Sequence, residues 1–244
     1  MGDNKENRLK TRGFCRYQLA DEITDISLQE ALDELYSEFA NLPIDQYAPD
    51  LNRYRRYSRA IIIPQTNEVI WLNNMHNEAG EPISEYFQGR FNPEYVGSYR
   101  RFPALSERVK ANKLLERIIQ FDFRQTFWDE RDLLLPVHAG VHFVKLQVKS
   151  TGDVAVSSPN CLHQDGEPFT FAHLVKRDNV VGGINVIAEP ECAGKMPDEV
   201  APENVRDTFT LTEPLQSYGV CDQKVSHYVS SVQKGPADRS GERS

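Results

Sequence analysis

Cysteine is scarce in this sequence. There are four in 244 residues, Cys15, Cys161, Cys192 and Cys221, and no two form a C-x-x-C pair. That argues against a disulfide framework and against a cysteine-ligated zinc site, and a reducing cytosol is the expected compartment. Long apolar runs are missing too, so no stretch is expected to cross a bilayer. The opening "MGDNKENRLK" has no apolar leader core. Gly2 follows Met1, but Glu6 stands where a myristoylation signal needs Ser or Thr. Positive charge is in deficit, with 28 Lys and Arg against 36 Asp and Glu, a net of −8. An acidic chain repels nucleic acid and anionic membrane surfaces, so neither is an expected partner. No internal repeat is visible.

A hydrophobic fraction of 39% and an aromatic fraction of 10% suffice for a substantial core. The polar residues 1–12 are expected to be a flexible tail. Residues 13–244 are expected to form a single domain, with a helical layer over about 13–135 and a β core over about 136–244. Leu28, Leu32, Leu35 and Phe39 recur at spacings of four, three and four. This spacing predicts an amphipathic helix ending near Pro43. A second helix is expected from Ser106, as N-cap, through Ile119, burying Val109, Leu115, Ile118 and Ile119. Beyond residue 137 the texture changes. "VHAGVHFVKLQVKS", "FTFAHLVK" and "GGINVIAE" are short, rich in β-branched and aromatic residues, and separated by turn signals. "DTFTLTEPLQSYGVCDQKVSHYVSSV" reads as further strands around a turn at Ser217–Gly219. The expected fold class is mainly β with flanking helices, a β-barrel or jelly roll backed by a helical layer.

The chemistry centres on "NCLHQDGEPF". In a strand, alternate residues share a face, so His163 and Asp165 would aim an imidazole and a carboxylate at one point while Gln164 faces away. Glu167 would share that side if the strand continued past Gly166. H-x-D alone is short and occurs often by chance. A third donor from another strand would complete a 2-His-1-carboxylate facial triad, with open positions for substrate and dioxygen on Fe(II). His227 in "KVSHYVSSV" is the best third donor. His138 and His142 have i, i+4 spacing, but Pro136, Gly140 and the following β pattern argue against a helix there. They read as a loop residue and a barrel-lining or core residue. His76 reads as a loop histidine and His173 as packed in the sheet. An Fe(II) site of this kind often takes 2-oxoglutarate, whose far carboxylate needs a fixed cation. Arg243 in "GERS" is the candidate, with Arg239 behind it. For an amino-acid carboxylate, Arg53, Arg55, Arg56, Arg59, Arg100 and Arg101 are available, and Glu167 could receive the amine.

Taken together, "VHFVKLQVKS", "CLHQDGEPFTFAHLVKRDNVVGG", "VSHYVSSV" and "GERS" resemble the bacterial 2-oxoglutarate/Fe(II) dioxygenases that hydroxylate free or N-substituted aliphatic L-amino acids, the isoleucine dioxygenases among them. The resemblance runs from about Tyr47 onward and includes "NRYRRYSR" and "QGRFNPEYVGSYRRF". It implies a double-stranded β-helix of the cupin or jelly-roll kind. It implies His163, Asp165 and His227 as iron ligands and Arg243 as the 2-oxoglutarate anchor. The implied cofactor set is Fe(II), 2-oxoglutarate and dioxygen, and the implied substrate is a small aliphatic L-amino acid or derivative, oxidised at an unactivated C–H bond. In the family that arginine opens a final apolar strand, whereas here Ser244 follows it and the sequence stops. Related halogenases lack the carboxylate corresponding to Asp165, so its presence favours hydroxylation, with desaturation or ring closure as alternatives. A cupin-type metalloenzyme without 2-oxoglutarate would keep the triad and have no need of Arg243. A non-catalytic β-sandwich binding module would bind no iron.

Overall fold

Two long strands organise the molecule, whose computed structural model describes residues 8–89, 97–157 and 159–244. Arg53–Ile63 and Val137–Val148 pair antiparallel from Arg53 opposite Leu146 to Ile62 opposite Val137. Glu68–Trp71 extends the sheet on one side. Gly241–Arg243 and then Arg177–Asp178 extend it on the other, giving five strands. Side chains alternate across such a sheet. One face carries Ile62 and Phe143, and these pack beneath the helices Leu28–Ala40 and Lys113–Gln125. Leu32, Leu35 and Phe39 meet Leu115, Ile118 and Ile119 there, and the Phe39 ring stacks on Phe143 with centroids 4.5 Å apart. The first helix is the one its apolar spacing predicts.

The second helix departs from expectation. It is two helices, Glu107–Lys110 and Lys113–Gln125. Ser106 caps the first by accepting from the Val109 N–H, as expected, but Asn112 then restarts the chain by accepting from the Leu115 N–H. Asparagine is a weak helix former and a strong N-cap, so the break lies where a local side-chain bond outcompetes the helix. The layer preceding residue 136 is not purely helical either. It supplies Arg53–Ile63 to the main sheet and Phe14–Gln18 to another, and it holds a separate three-stranded sheet of Met75–His76, Pro82–Gln88 and Ser98–Pro103. Arg8–Arg12, expected as tail, is a short helix with Leu9 buried. Residues 1–7 of that tail, and 90–96 of the second segment carrying the resemblance, lie outside the described residues.

In the second half, Ile184–Ala188 lies between Val205–Thr210 and Ser226–Val229, and Gln216–Cys221 lies between Phe14–Gln18 and Phe169–His173. Ser217–Gly219 is therefore strand interior, and the chain turns at 222–224 instead. Gly219 is there for space, not for a turn: a Cβ on it would lie 2.4 Å from the Phe171 ring. His138, expected in a loop, lies within Val137–Val148, and His76 within a two-residue strand. His173 sits in its sheet as expected and bridges Ser217 and Asp122 at 2.9 Å each. The architecture is mainly β with flanking helices. Among the described residues, no helix is long and apolar enough to cross a membrane.

Candidate metal and substrate site

His163 and His227 face each other across an isolated antiparallel bridge. Each donates its backbone N–H to the other's carbonyl at 2.9 Å, and their rings lie 4.3 Å apart. The strand Ser226–Val229 thus carries the second imidazole to the first. Asp165 joins them by a different route from the strand alternation expected of H-x-D. Past His163 the chain leaves its bridge, and Gly166 adopts φ +84°, a left-handed conformation open to glycine at no steric cost. The backbone N–H groups of Asp165 and Gly166 both donate to the carboxylate of Asp222 at 2.8 Å. Gln164 does turn away, donating its side-chain amide to the Asp222 carbonyl.

The potential ligand atoms of His163, Asp165 and His227 lie within 4.8 Å of one another. The Cys161 carbonyl is 2.9 Å from His163 Nδ1, which places the proton on Nδ1 and leaves a lone pair on Nε2. His227 Nε2 is buried. It is 3.3 Å from Asp165 Oδ2 but is not aligned for a hydrogen bond, so it has no hydrogen-bond partner among the described residues. A buried orphan nitrogen facing a carboxylate and a second lone pair is a donor set that fits a divalent first-row metal. The charges agree. Burial and neighbouring His227 hold His163 down to about 4, keeping it neutral. Burial works to raise Asp165, but His227, His163 and the hydroxyl of Thr170, which donates to it at 3.0 Å, outweigh this and keep it a carboxylate. Burial works to lower His227, yet Asp165 beside it raises it overall.

The three donors line a cavity of about 850 Å³ with Arg243, Glu167 and four of the six arginines singled out from the sequence, Arg53, Arg55, Arg59 and Arg100. Arg56 and Arg101 do not line it; they pair with Glu38 and Glu85. Arg243 is held by Gly241–Arg243, opposite Leu146 on one side and Arg177 on the other. Its Nε is buried without a partner, no acidic group engages it among the described residues, and burial lowers its pKa. Such a cation calls for an anion. Arg239 instead sits at the surface, 2.5 Å from Asp178. Glu167 lines the cavity and is itself exposed, its carboxyl raised by partial burial and by Asp165 and Asp222. His142 lines the cavity as expected, and His138 joins it. Asp222, Thr170, Tyr57 and Tyr86 were not legible as site residues; in the sequence Asp222 reads only as an acid in a turn.

Residues 37–244 match the family described as 2OG-Fe dioxygenase. The chain belongs to that family. As a 2OG-Fe dioxygenase it uses Fe(II), 2-oxoglutarate and dioxygen. It is 28% identical to the L-isoleucine-4-hydroxylase of Bacillus thuringiensis over 243 residues, covering 94% of this chain and 87% of that protein. It is 30% identical to the 3(1)-hydroxy-L-isoleucine 4-dioxygenase of Pantoea ananatis over 168 residues, or 65% of this chain and 61% of that one. Among solved structures, IDO from Bacillus thuringiensis superposes with a TM-score of 0.73 at 22% identity, covering 100% of this chain and 93% of that one. That structural likeness speaks to the dioxygenase fold alone.

Proposed function

We propose that this dioxygenase hydroxylates an unactivated C–H bond of a small aliphatic L-amino acid or close derivative, on a double-stranded β-helix of the jelly-roll kind. His163, Asp165 and His227 hold Fe(II), Arg243 receives the far carboxylate of 2-oxoglutarate, and Glu167 receives the substrate's ammonium. One observation carries the assignment: a single cavity holds the convergent triad and, in Arg243, a guanidinium with a buried Nε and no acidic partner among the described residues. The names of the two relatives, an L-isoleucine hydroxylase and a hydroxy-L-isoleucine dioxygenase, support the substrate class.

When bound, iron with 2-oxoglutarate supplies the oxidising power, consuming dioxygen and releasing succinate and carbon dioxide. The protein's own task is placement and exclusion of water. Thr170 and Asp222 hold Asp165, the Cys161 carbonyl orients His163, and Phe169, packed against Phe127 and Trp128, adds an apolar wall. The four cysteines are free thiols, which supports a cytosolic setting. The test is oxygen uptake coupled to succinate release over a panel of aliphatic amino acids, with products weighed by mass spectrometry. A product heavier by one oxygen atom is expected. One lighter by two hydrogens would replace hydroxylation by desaturation or ring closure. Iron-dependent oxygen uptake without succinate would remove Arg243 from its role.

A further inference from the structure

The cavity contains a second set of donors remote from Arg243, on the face where Arg53–Ile63 meets Val137–Val148. Tyr57 lies opposite His142 and Arg59 opposite Gly140, so Arg59 and His142 are diagonal neighbours on one face. Arg55 precedes them on the same face. Its Nη2 is 2.6 Å from His142 Nδ1. A guanidinium only donates, so His142 Nδ1 must accept and the imidazole proton sits on Nε2. The ring is clamped in that pose. It stacks on Tyr57 at 4.3 Å and meets the edge of Tyr86 at 5.1 Å. Gly140 permits this: a Cβ there would come within 3.1 Å of the Tyr57 hydroxyl. Neither His142 Nε2 nor any side-chain nitrogen of Arg59 has a hydrogen-bond partner among the described residues, and Arg59 Nε is buried in that state. Arg53, by contrast, is engaged by an acid: its Nε donates to Asp45 at 2.9 Å, although its Nη2 is also buried without a partner among the described residues.

We propose that Arg59 and the Nε2–H of His142, with Arg55 locking the His142 tautomer, form the station that receives the α-carboxylate of the amino-acid substrate. The proposal rests on the amino-acid reading above and adds to it the residues that set the choice of an acid over its neutral analogues. Two donors, one charged and one neutral, suit the two oxygens of a carboxylate. Arg243 is anchored away from this station. It pairs opposite Leu146, four residues along the strand from His142 and six from Gly140, a backbone separation of about 14–20 Å at about 3.4 Å per residue. Glu167 lines the same cavity and its charge reaches both Tyr57 and Tyr86, which leaves it as the acid for the ammonium of the same substrate.

The test uses the Fe(II)- and 2-oxoglutarate-loaded protein under argon, titrated with L-isoleucine, L-leucine, L-valine and their carboxamides. Binding is read from the shift of the visible metal-to-ligand band. The native protein is expected to respond to at least one acid and to reject its amide. Arg59→Gln and His142→Asn should weaken the acid by about tenfold or more and narrow the acid-to-amide ratio. Arg59→Lys, which restores a charge, should recover part of the loss. His142→Gln, whose side-chain N–H falls where Nε2–H was, should retain more affinity than His142→Asn. Full acid-to-amide discrimination in Arg59→Gln overturns the proposal. A native protein unmoved by every acid would show that the substrate class itself is wrong, before any variant is measured.

Discussion

His163, Asp165 and His227 are placed so that each presents one donor atom, and among the described residues no other His, Cys, Asp or Glu joins the group. Replacing any one by alanine should abolish turnover and weaken Fe(II) binding by at least about tenfold to a hundredfold, while circular dichroism stays native. Retained activity in one variant would remove that residue from the triad. Arg243 and Arg239 make a sharper contrast. Arg243→Ala removes a desolvated charge-assisted pair, so the KM for 2-oxoglutarate should rise about tenfold to a hundredfold, and far more than that for the amino acid. Arg239→Ala breaks only a surface contact with Asp178, in which Arg239 is 56% exposed, and should leave both constants near native. The ligand types were readable because few side chains bind such a metal. Their partners were not: nothing in "CDQK" marks Asp222 as the acceptor for the amides of Asp165 and Gly166.

The segment 163–166 is no regular element; it depends on the neighbouring 222–224 turn for its shape. Asp222→Ala should therefore lower Fe(II) affinity by about tenfold to a hundredfold through Asp165, although Asp222 offers no ligand itself. Titration of the metal-free variant with Fe(II) under argon checks this, and native affinity would show that Gly166 alone shapes the bend. In the strand Gln216–Cys221, Gly219→Ala would drive a methyl into the Phe171 ring. Overpacking of this kind costs about 1–3 kcal/mol, measurable as a lower urea midpoint. Alternation and turn signals located most strands after residue 137. They misread Ser217–Gly219 because a glycine kept for close packing looks the same in sequence as one kept for a turn.

Across the whole molecule, buried neutral imidazoles tie stability to pH. His163 is held down to about 4, and burial together with Arg55 holds His142 well below the ordinary imidazole range. Both bind protons in the unfolded chain before they do in the folded one, so stability falls as pH drops from the ordinary imidazole value toward 4. His227, raised by Asp165, acts oppositely: its contribution is present at low pH and lost as pH rises through its folded value. Asp165, depressed, keeps its contribution until still lower pH. His138, held down by burial and by Arg59, makes three depressed imidazoles against one raised, while Asp122, Glu167 and Asp222, raised by burial, act in the opposite sense. The share of His142 is isolated by substitution: in the metal-free protein the urea midpoint of His142→Gln should fall less, relative to native, between about pH 7 and about pH 4.5. An equal change in both would mean that His142 is not buried as a neutral group. Added Fe(II) should raise the midpoint at neutral pH, since it binds only the folded donors.

The local sequence was enough to assign the amphipathic helix Leu28–Ala40 and the β-rich second half, which follow from side-chain type and spacing within a few residues. His163 and Asp165 stood out as neighbouring donors, but His227, far downstream, joined them only as the best third donor and through the family resemblance; the fold brings the three together. The local sequence was not enough to show that Arg53–Ile63 pairs with Val137–Val148 across more than seventy intervening residues. Nor could it separate Arg59, whose side chain has no hydrogen-bond partner among the described residues, from Arg56, which has Glu38, or give the tautomer of His142. Those depend on which groups meet across the sheet and which are cut off from water, and both are properties of the packed chain.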